Sequence, residues 1–130
     1  MLSKRILVID DEQVIQEVVQ GCFEDVAGWE VLLASSGREG LEKIVAGQPD
    51  AIVLDEMMPG MDGIAFLKHL RANDDNPSIP VVLLTAKVDL ADPKLLRELG
   101  VVDAIAKPFD AIALVERVAE VLGWTVAGEL

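Results

Sequence analysis

At 130 residues, 52% hydrophobic and 26% charged, the chain suits a single soluble domain that buries its own core without disulfides or structural metals. A formal charge of −12, from 23 acidic against 11 basic residues, argues against direct nucleic-acid binding, which needs clustered Lys and Arg. Short apolar runs and a start, Met1-Leu2-Ser3-Lys4-Arg5, that leads straight into a strand-like segment fit neither membrane insertion nor a signal peptide, and the single cysteine, Cys22, suits the reducing cytoplasm.

Ile6-Leu7-Val8-Ile9 reads as a first strand that ends on Asp10-Asp11-Glu12. Val14, Ile15, Val18, Val19, Cys22, Phe23 and Val26 recur at helical spacing, which predicts an amphipathic helix over 12–27 closed by Gly28, with Cys22 an inert core residue. Val31 to Ala34 is a second strand. Ser36-Gly37-Arg38-Glu39 has capping-box spacing and opens a helix with Leu41, Ile44 and Val45 inward, ending near Gly47.

Residues 51–55 form a third strand, four apolar residues closing on Asp55, with the turn Met58-Pro59-Gly60-Met61-Asp62-Gly63 directly after. Asp62-Gly63 opens a third helix with Ile64, Phe66, Leu67 and Leu70 as its buried side, and His69 reads as a solvated residue on it. The polar run 73–78 is a loop. Val81 to Leu84 is a fourth strand that ends on Thr85. Asp92-Pro93 starts a short helix through Leu95, Leu96 and Leu99 to Gly100.

Val101 to Ala106 is a weaker fifth strand stopped by Lys107-Pro108, and Ile112, Val115, Val118, Ala119 and Leu122 line a last helix. A tail, 123–130, follows a domain over 1–122, and its Trp124 either anchors a partner or packs back on the last helix. Five strands alternating with five helices imply an α/β fold with a parallel sheet covered on both faces.

In such a sheet the C-terminal ends of the strands share one edge. That edge would hold Asp10 and Asp11 from the first strand, Asp55 from the third, Thr85 from the fourth and Lys107 from the fifth. Asp10-Asp11 alone could be helix caps, Thr85 an ordinary strand residue and Lys107 a surface lysine. Three converging carboxylates, however, need a compensating charge, and Mg²⁺ (or Mn²⁺) favours carboxylate and water ligands. A phosphoryl group on Asp55 gives every member a role: Asp55 as carboxylate nucleophile, Thr85 as hydrogen-bond donor, Lys107 as neutralising cation.

The pieces Ile9-Asp10-Asp11-Glu12, Val53-Leu54-Asp55 with Met58 to Gly63, Leu84-Thr85-Ala86 and Lys107-Pro108-Phe109 make the chain resemble the receiver domain of two-component response regulators, from residue 5 to about 122. The resemblance implies a flavodoxin-like doubly wound (βα)5 fold with strand order 2-1-3-4-5. It makes Asp55 the phosphoacceptor, served by a sensor histidine kinase or phosphotransfer protein. Asp10 or Asp11, with Asp55 and the Met57 backbone carbonyl, would hold Mg²⁺. Thr85 and Lys107 would contact the phosphoryl group, the Lys107–Pro108 peptide would be cis, and Met57 and Lys87 would tune dephosphorylation.

The same resemblance implies a cytoplasmic signalling domain that assists only its own phosphorylation and dephosphorylation. The effector is expected to be a separate protein, unless the chain is part of a longer one, and a homodimer through the face of helix four, strand five and helix five is a further expectation. Lys94, Arg97, Glu98, Asp103, Glu116 and Arg117 carry charge there. One departure stands out: the family usually has an aromatic three residues before the lysine, and here Ala104 takes that place in a chain without tyrosine.

Ala104 motivates a competing reading, an interaction module that no longer depends on phosphorylation. A phosphohydrolase of the haloacid-dehalogenase type would need an aspartate two residues after the nucleophile, where Met57 stands. No Gly-x-Gly-x-x-Gly or P-loop follows any strand.

Overall fold

The computed structural model describes residues 4–72, 79–86 and 92–126. In chain order it contains β1 (Arg5–Ile9), α1 (Gln13–Cys22), β2 (Glu30–Ala34), α2 (Gly37–Gly47), β3 (Ala51–Asp55), α3 (Gly63–Ala72), β4 (Val81–Thr85), α4 (Pro93–Glu98), β5 (Val101–Ala106) and α5 (Ala111–Leu122). All neighbouring strands pair in parallel, in the order β2-β1-β3-β4-β5. The fold is therefore the flavodoxin-like doubly wound α/β sandwich expected from the sequence. The order reverses between β1 and β3, which opens a crevice at their C-terminal ends.

Alternation along the strands divides the core. Leu7, Ile9, Ile52, Leu54, Val81 and Leu83 face one layer, packed by Ile44, Phe66, Leu67, Leu70 and Leu96. Ile6, Val8, Ala51, Val53, Val82 and Leu84 face the other, packed by Val19, Phe23, Leu114, Val115 and Val118. Each fully buried Leu, Ile or Phe contributes roughly 1.5–3 kcal/mol. β3 and β4 are buried along their whole length, as central strands covered on both faces must be.

Helix starts follow the capping residues. Ser36 accepts from the Glu39 N–H at 3.1 Å, Asp62 from Ala65 at 2.8 Å, Asp92 from Lys94 at 3.0 Å, and Asp110 from Ile112 at 2.9 Å. The first helix departs from its expected stripe. Its α-helical part ends at Cys22, and Phe23–Ala27 winds as a π-helical turn before Gly28 at φ 77°. Along α1, Gln16 and Val19 face inward while Val14 and Val18 are exposed and Cys22 is half-buried; beyond it the wider turn shifts the phase so that Ala27 rather than Val26 joins Phe23 inside.

Val45 and Ile112, expected inside, are also exposed, and Leu114 takes the inward place on α5. Trp124 packs back, edge-on against Trp29 at 5.0 Å, with the Lys4 ammonium 5.6 Å from its ring. The expected loop at 73–78 lies outside the described residues.

Below the sheet, Arg71 of α3 ties two segments together. Its guanidinium donates to the carbonyls of Leu99 at 2.8 Å and Ile79 at 2.6 Å. Gly100 lies beneath it at φ +82°, where an added Cβ would fall 2.3 Å from Arg71 Nη2. Gly100→Ala combines left-handed strain with displacement of these hydrogen bonds. It is expected to cost about 1–3 kcal/mol in urea denaturation; a variant as stable as the parent would contradict the clamp.

Candidate functional site

The site grows from the ends of four strands. β1 delivers Asp10, fully buried, whose Oδ1 accepts the Glu12 N–H at 2.8 Å. β3 delivers Asp55, whose Oδ1 accepts the Met57 N–H at 3.2 Å. β4 ends on Thr85, itself buried, and the Lys107 N–H donates to the Thr85 carbonyl at 2.9 Å, which fixes the start of the β5–α5 connection. The Lys107–Pro108 peptide is cis.

Lys107 is the hub. Its ammonium lies 3.2 Å from Asp10 Oδ2, 3.2 Å from Asp55 Oδ1 and 3.7 Å from Glu12 Oε1. Burial would lower its pKa, but the pull of Asp10 and Asp55 outweighs that and raises it. For Asp55, burial comes first and the Asp10 charge second in raising the carboxyl above 3.8, with the Met57 N–H and Lys107 opposing. A buried carboxylate held this way is more basic than a solvated one. Among the described residues Asp55 Oδ2 has no donor, because Met57 and Lys107 both approach Oδ1.

Asp11 is exposed beside this pair, and one carboxylate oxygen from each of Asp10, Asp11, Glu12 and Asp55 lies within 4.8 Å of the others. Four hard oxygen donors against one ammonium match what a small divalent cation requires, so the residues fit Mg²⁺.

Of the residues singled out from sequence, Asp10, Asp55 and Lys107 meet directly and Asp11 joins them in the acidic cluster. Met57 contributes its N–H, while its side chain is exposed. Thr85 is adjacent, but its hydroxyl donates to the Glu56 carboxylate. Lys87 lies outside the described residues. His69 is exposed on α3.

Three contributors were missed. Glu12 extends the acidic cluster, Glu56 engages Thr85, and Gln16 is buried with its amide donating to the Asp10 carbonyl at 2.5 Å and to Ser35 Oγ at 3.0 Å. Gln16 thereby locks the ends of β1 and β2 together. Glu12 and Glu56 each directly follow a singled-out aspartate, the one sequence signal that could have found them. Gln16 has none, since it looks like a polar residue on a solvated face.

On the face of α4, β5 and α5, Arg117 pairs with Asp103 of its own chain at 3.0 Å, so two of the expected surface charges are engaged internally. Ala104 is half-buried opposite Leu83.

A family model described as the response regulator receiver domain matches residues 6–119. Among curated proteins, the chain is 40% identical over 121 residues to the alkaline phosphatase synthesis transcriptional regulatory protein PhoP of Bacillus subtilis, covering 93% of this chain and 49% of that protein. It is 38% identical over 117 residues to the transcriptional regulatory protein CseB of Streptomyces coelicolor, covering 90% and 48%. The chain thus spans about half the length of these relatives. Among solved structures, the chemotaxis response regulator CheY4 of Vibrio cholerae superposes with a TM-score of 0.83 at 29% identity, over 92% of this chain and 99% of that one. A CheY-like receiver domain protein of Methanospirillum hungatei gives 0.80 at 32% identity, over 92% and 94%.

Proposed function

Because the chain belongs to the response regulator receiver domain family of two-component signalling, we propose that Asp55 accepts a phosphoryl group from a sensor histidine kinase or a phosphotransfer protein. The observation that carries the reading is one ammonium, Lys107, at 3.2 Å from two buried carboxylates, Asp10 and Asp55. Asp55 Oδ2 attacks phosphorus while the bond from phosphorus to the donor's imidazole nitrogen breaks, and that electron pair stays with the ring. Lys107 and the Met57 N–H hold Oδ1, orienting the carboxylate and countering the charge that arrives. Thr85 donates to a phosphoryl oxygen of the product.

Receiver domains bind Mg²⁺ at an acidic pocket, and Asp10, Asp11 and Asp55, with the Met57 carbonyl, are the proposed ligands here. Bound there, the ion supplies positive charge against the phosphoryl oxygens.

The domain is a signalling device, and in this reading the only reaction it assists is its own modification and its reversal. Output from this domain runs through protein contacts to an effector, in keeping with a charge of −12. A homodimer through the α4-β5-α5 face remains part of the proposal. A cleft of about 430 Å³ between α1 and the segment after Lys107, lined by Val14, Ile15, Val18, Pro108 and Phe109 with Lys107 itself, offers the donor protein an apolar footing. No described helix is long and apolar enough to cross a membrane, and the cytoplasm, where the kinase would meet it, is the proposed location.

Ala104 supports the second reading, a module that works without phosphorylation. Incubation with acetyl phosphate and Mg²⁺, read on a phosphate-affinity gel, separates the two. A retarded band that disappears with chelator is expected. A wild-type protein that never shifts leaves the interaction module standing instead.

A further inference from the structure

The residue after the phosphoacceptor is itself acidic, and the structure gives its side chain a specific place. Glu56 continues β3 past Asp55, and its N–H still donates to the Leu84 carbonyl of β4 at 2.9 Å. Its own carbonyl accepts the Gly63 N–H at 2.8 Å. Gly63 packs so closely that an added Cβ would fall 2.9 Å from Glu56 Cα. The Glu56 backbone is therefore pinned from both sides, directly opposite Thr85 in the extended register, and its carboxylate receives the Thr85 hydroxyl.

A hydroxyl has a single proton to donate. While it serves Glu56 it cannot serve a phosphoryl oxygen on Asp55. Bonds to an ionised acceptor are among the stronger hydrogen bonds, so this commitment biases the equilibrium.

We propose that Glu56 is a positioning residue that holds Thr85 in the unmodified state, so that phosphorylation of Asp55 requires Thr85 to exchange the Glu56 carboxylate for a phosphoryl oxygen. The inference rests on Asp55 being the phosphoacceptor. It makes the pair Glu56–Thr85 a two-position element beside the site, with Glu56 turned out to solvent in the modified protein. Glu56 is half-buried, so the carboxylate reaches water by rotation of its own side chain. Such an element tunes how readily the domain accepts and keeps the group.

The test is titration of beryllofluoride in Mg²⁺, followed by amide NMR, on the wild type and on Glu56→Ala, Glu56→Gln, Thr85→Val and the double variant Glu56→Ala/Thr85→Val. Glu56→Ala is expected to bind about tenfold more tightly than the wild type. Glu56→Gln keeps a neutral acceptor for the hydroxyl and falls between. In the Thr85→Val background, Glu56→Ala has no further effect. Without any ligand, Glu56→Ala also moves the Thr85 resonances.

An unchanged affinity for Glu56→Ala, a gain that persists undiminished without the Thr85 hydroxyl, or unmoved Thr85 resonances would each overturn the coupling alone. A wild type that binds no beryllofluoride overturns the phosphoacceptor reading, and the coupling with it.

Discussion

Asp55→Asn is expected to lower acetyl-phosphate-driven phosphorylation by at least about a hundredfold, because the amide cannot act as the attacking carboxylate. The same substitution is expected to raise the melting temperature of the metal-free protein. Folding raises the Asp55 pKa, chiefly by burial and then by the Asp10 charge, so the native state binds that proton more tightly than the unfolded chain. The protonated group's contribution is complete below the unfolded value and is lost as pH rises through the higher folded value.

At neutral pH Asp55 is thus a net burden on the fold, which asparagine removes. The melting difference between variant and parent should grow as pH rises from about 4 through the raised folded value, and shrink again when Mg²⁺ is added to the parent. A variant that still shifts fully on the gel would move the modification to another residue. One that melts like its parent at every pH would show that Asp55 carries no such cost.

Lys107→Met should produce the largest loss of stability among single site changes, about 2–4 kcal/mol without divalent cation. Methionine keeps much of the apolar stem but removes the ammonium that stands between Asp10, with 0% of its side chain exposed, and Asp55, with 3%. Two buried carboxylates are then left facing each other. The wild-type lysine has a raised folded pKa, so its contribution is present throughout the ordinary pH range and is lost only as pH climbs through that raised value.

Mg²⁺ should restore part of the lost stability, since it brings positive charge back to the same carboxylates, while phosphorylation stays depressed. Urea denaturation with and without Mg²⁺ reads this directly. Equal stability of variant and parent in chelator would mean that the pairing around Lys107 is energetically idle.

Much of the fold follows from how the strands are written. Ile6–Ile9, Ala51–Leu54 and Val81–Leu84 are continuous apolar runs, as strands covered on both faces must be, and each stops on a polar residue at the same edge. Asp10, Asp55, Thr85 and Lys107 could therefore be collected from sequence, since strand ends in a parallel sheet converge by topology. Side-chain choices at the margins were not legible in this way. Gln16 lies inside because α1 passes over the ends of β1 and β2, where carbonyls need a donor, and that need is invisible until the strands are placed.

The π-helical turn was equally hidden, because Val26 and Ala27 are both acceptable core residues and only the phase of the backbone decides between them. The partner of Thr85 was hidden for a related reason. The register Asp55↔Leu84 puts Glu56 opposite Thr85, and a register is a property of two strands that neither reveals alone.

The contact between Trp29 and Trp124 has an optical consequence. These are the chain's two tryptophans, and there is no tyrosine, so ultraviolet emission comes essentially from one pair of indoles 5.0 Å apart. That pair joins the end of the first helical segment to the start of the tail, where the Trp29 indole N–H also donates to the Thr125 carbonyl at 3.2 Å. Intrinsic fluorescence is therefore a local gauge of whether the tail is seated. Events at the carboxylate cluster have no fluorophore of their own in this protein, and a dye or a fluorinated side chain would have to be placed there to make them visible.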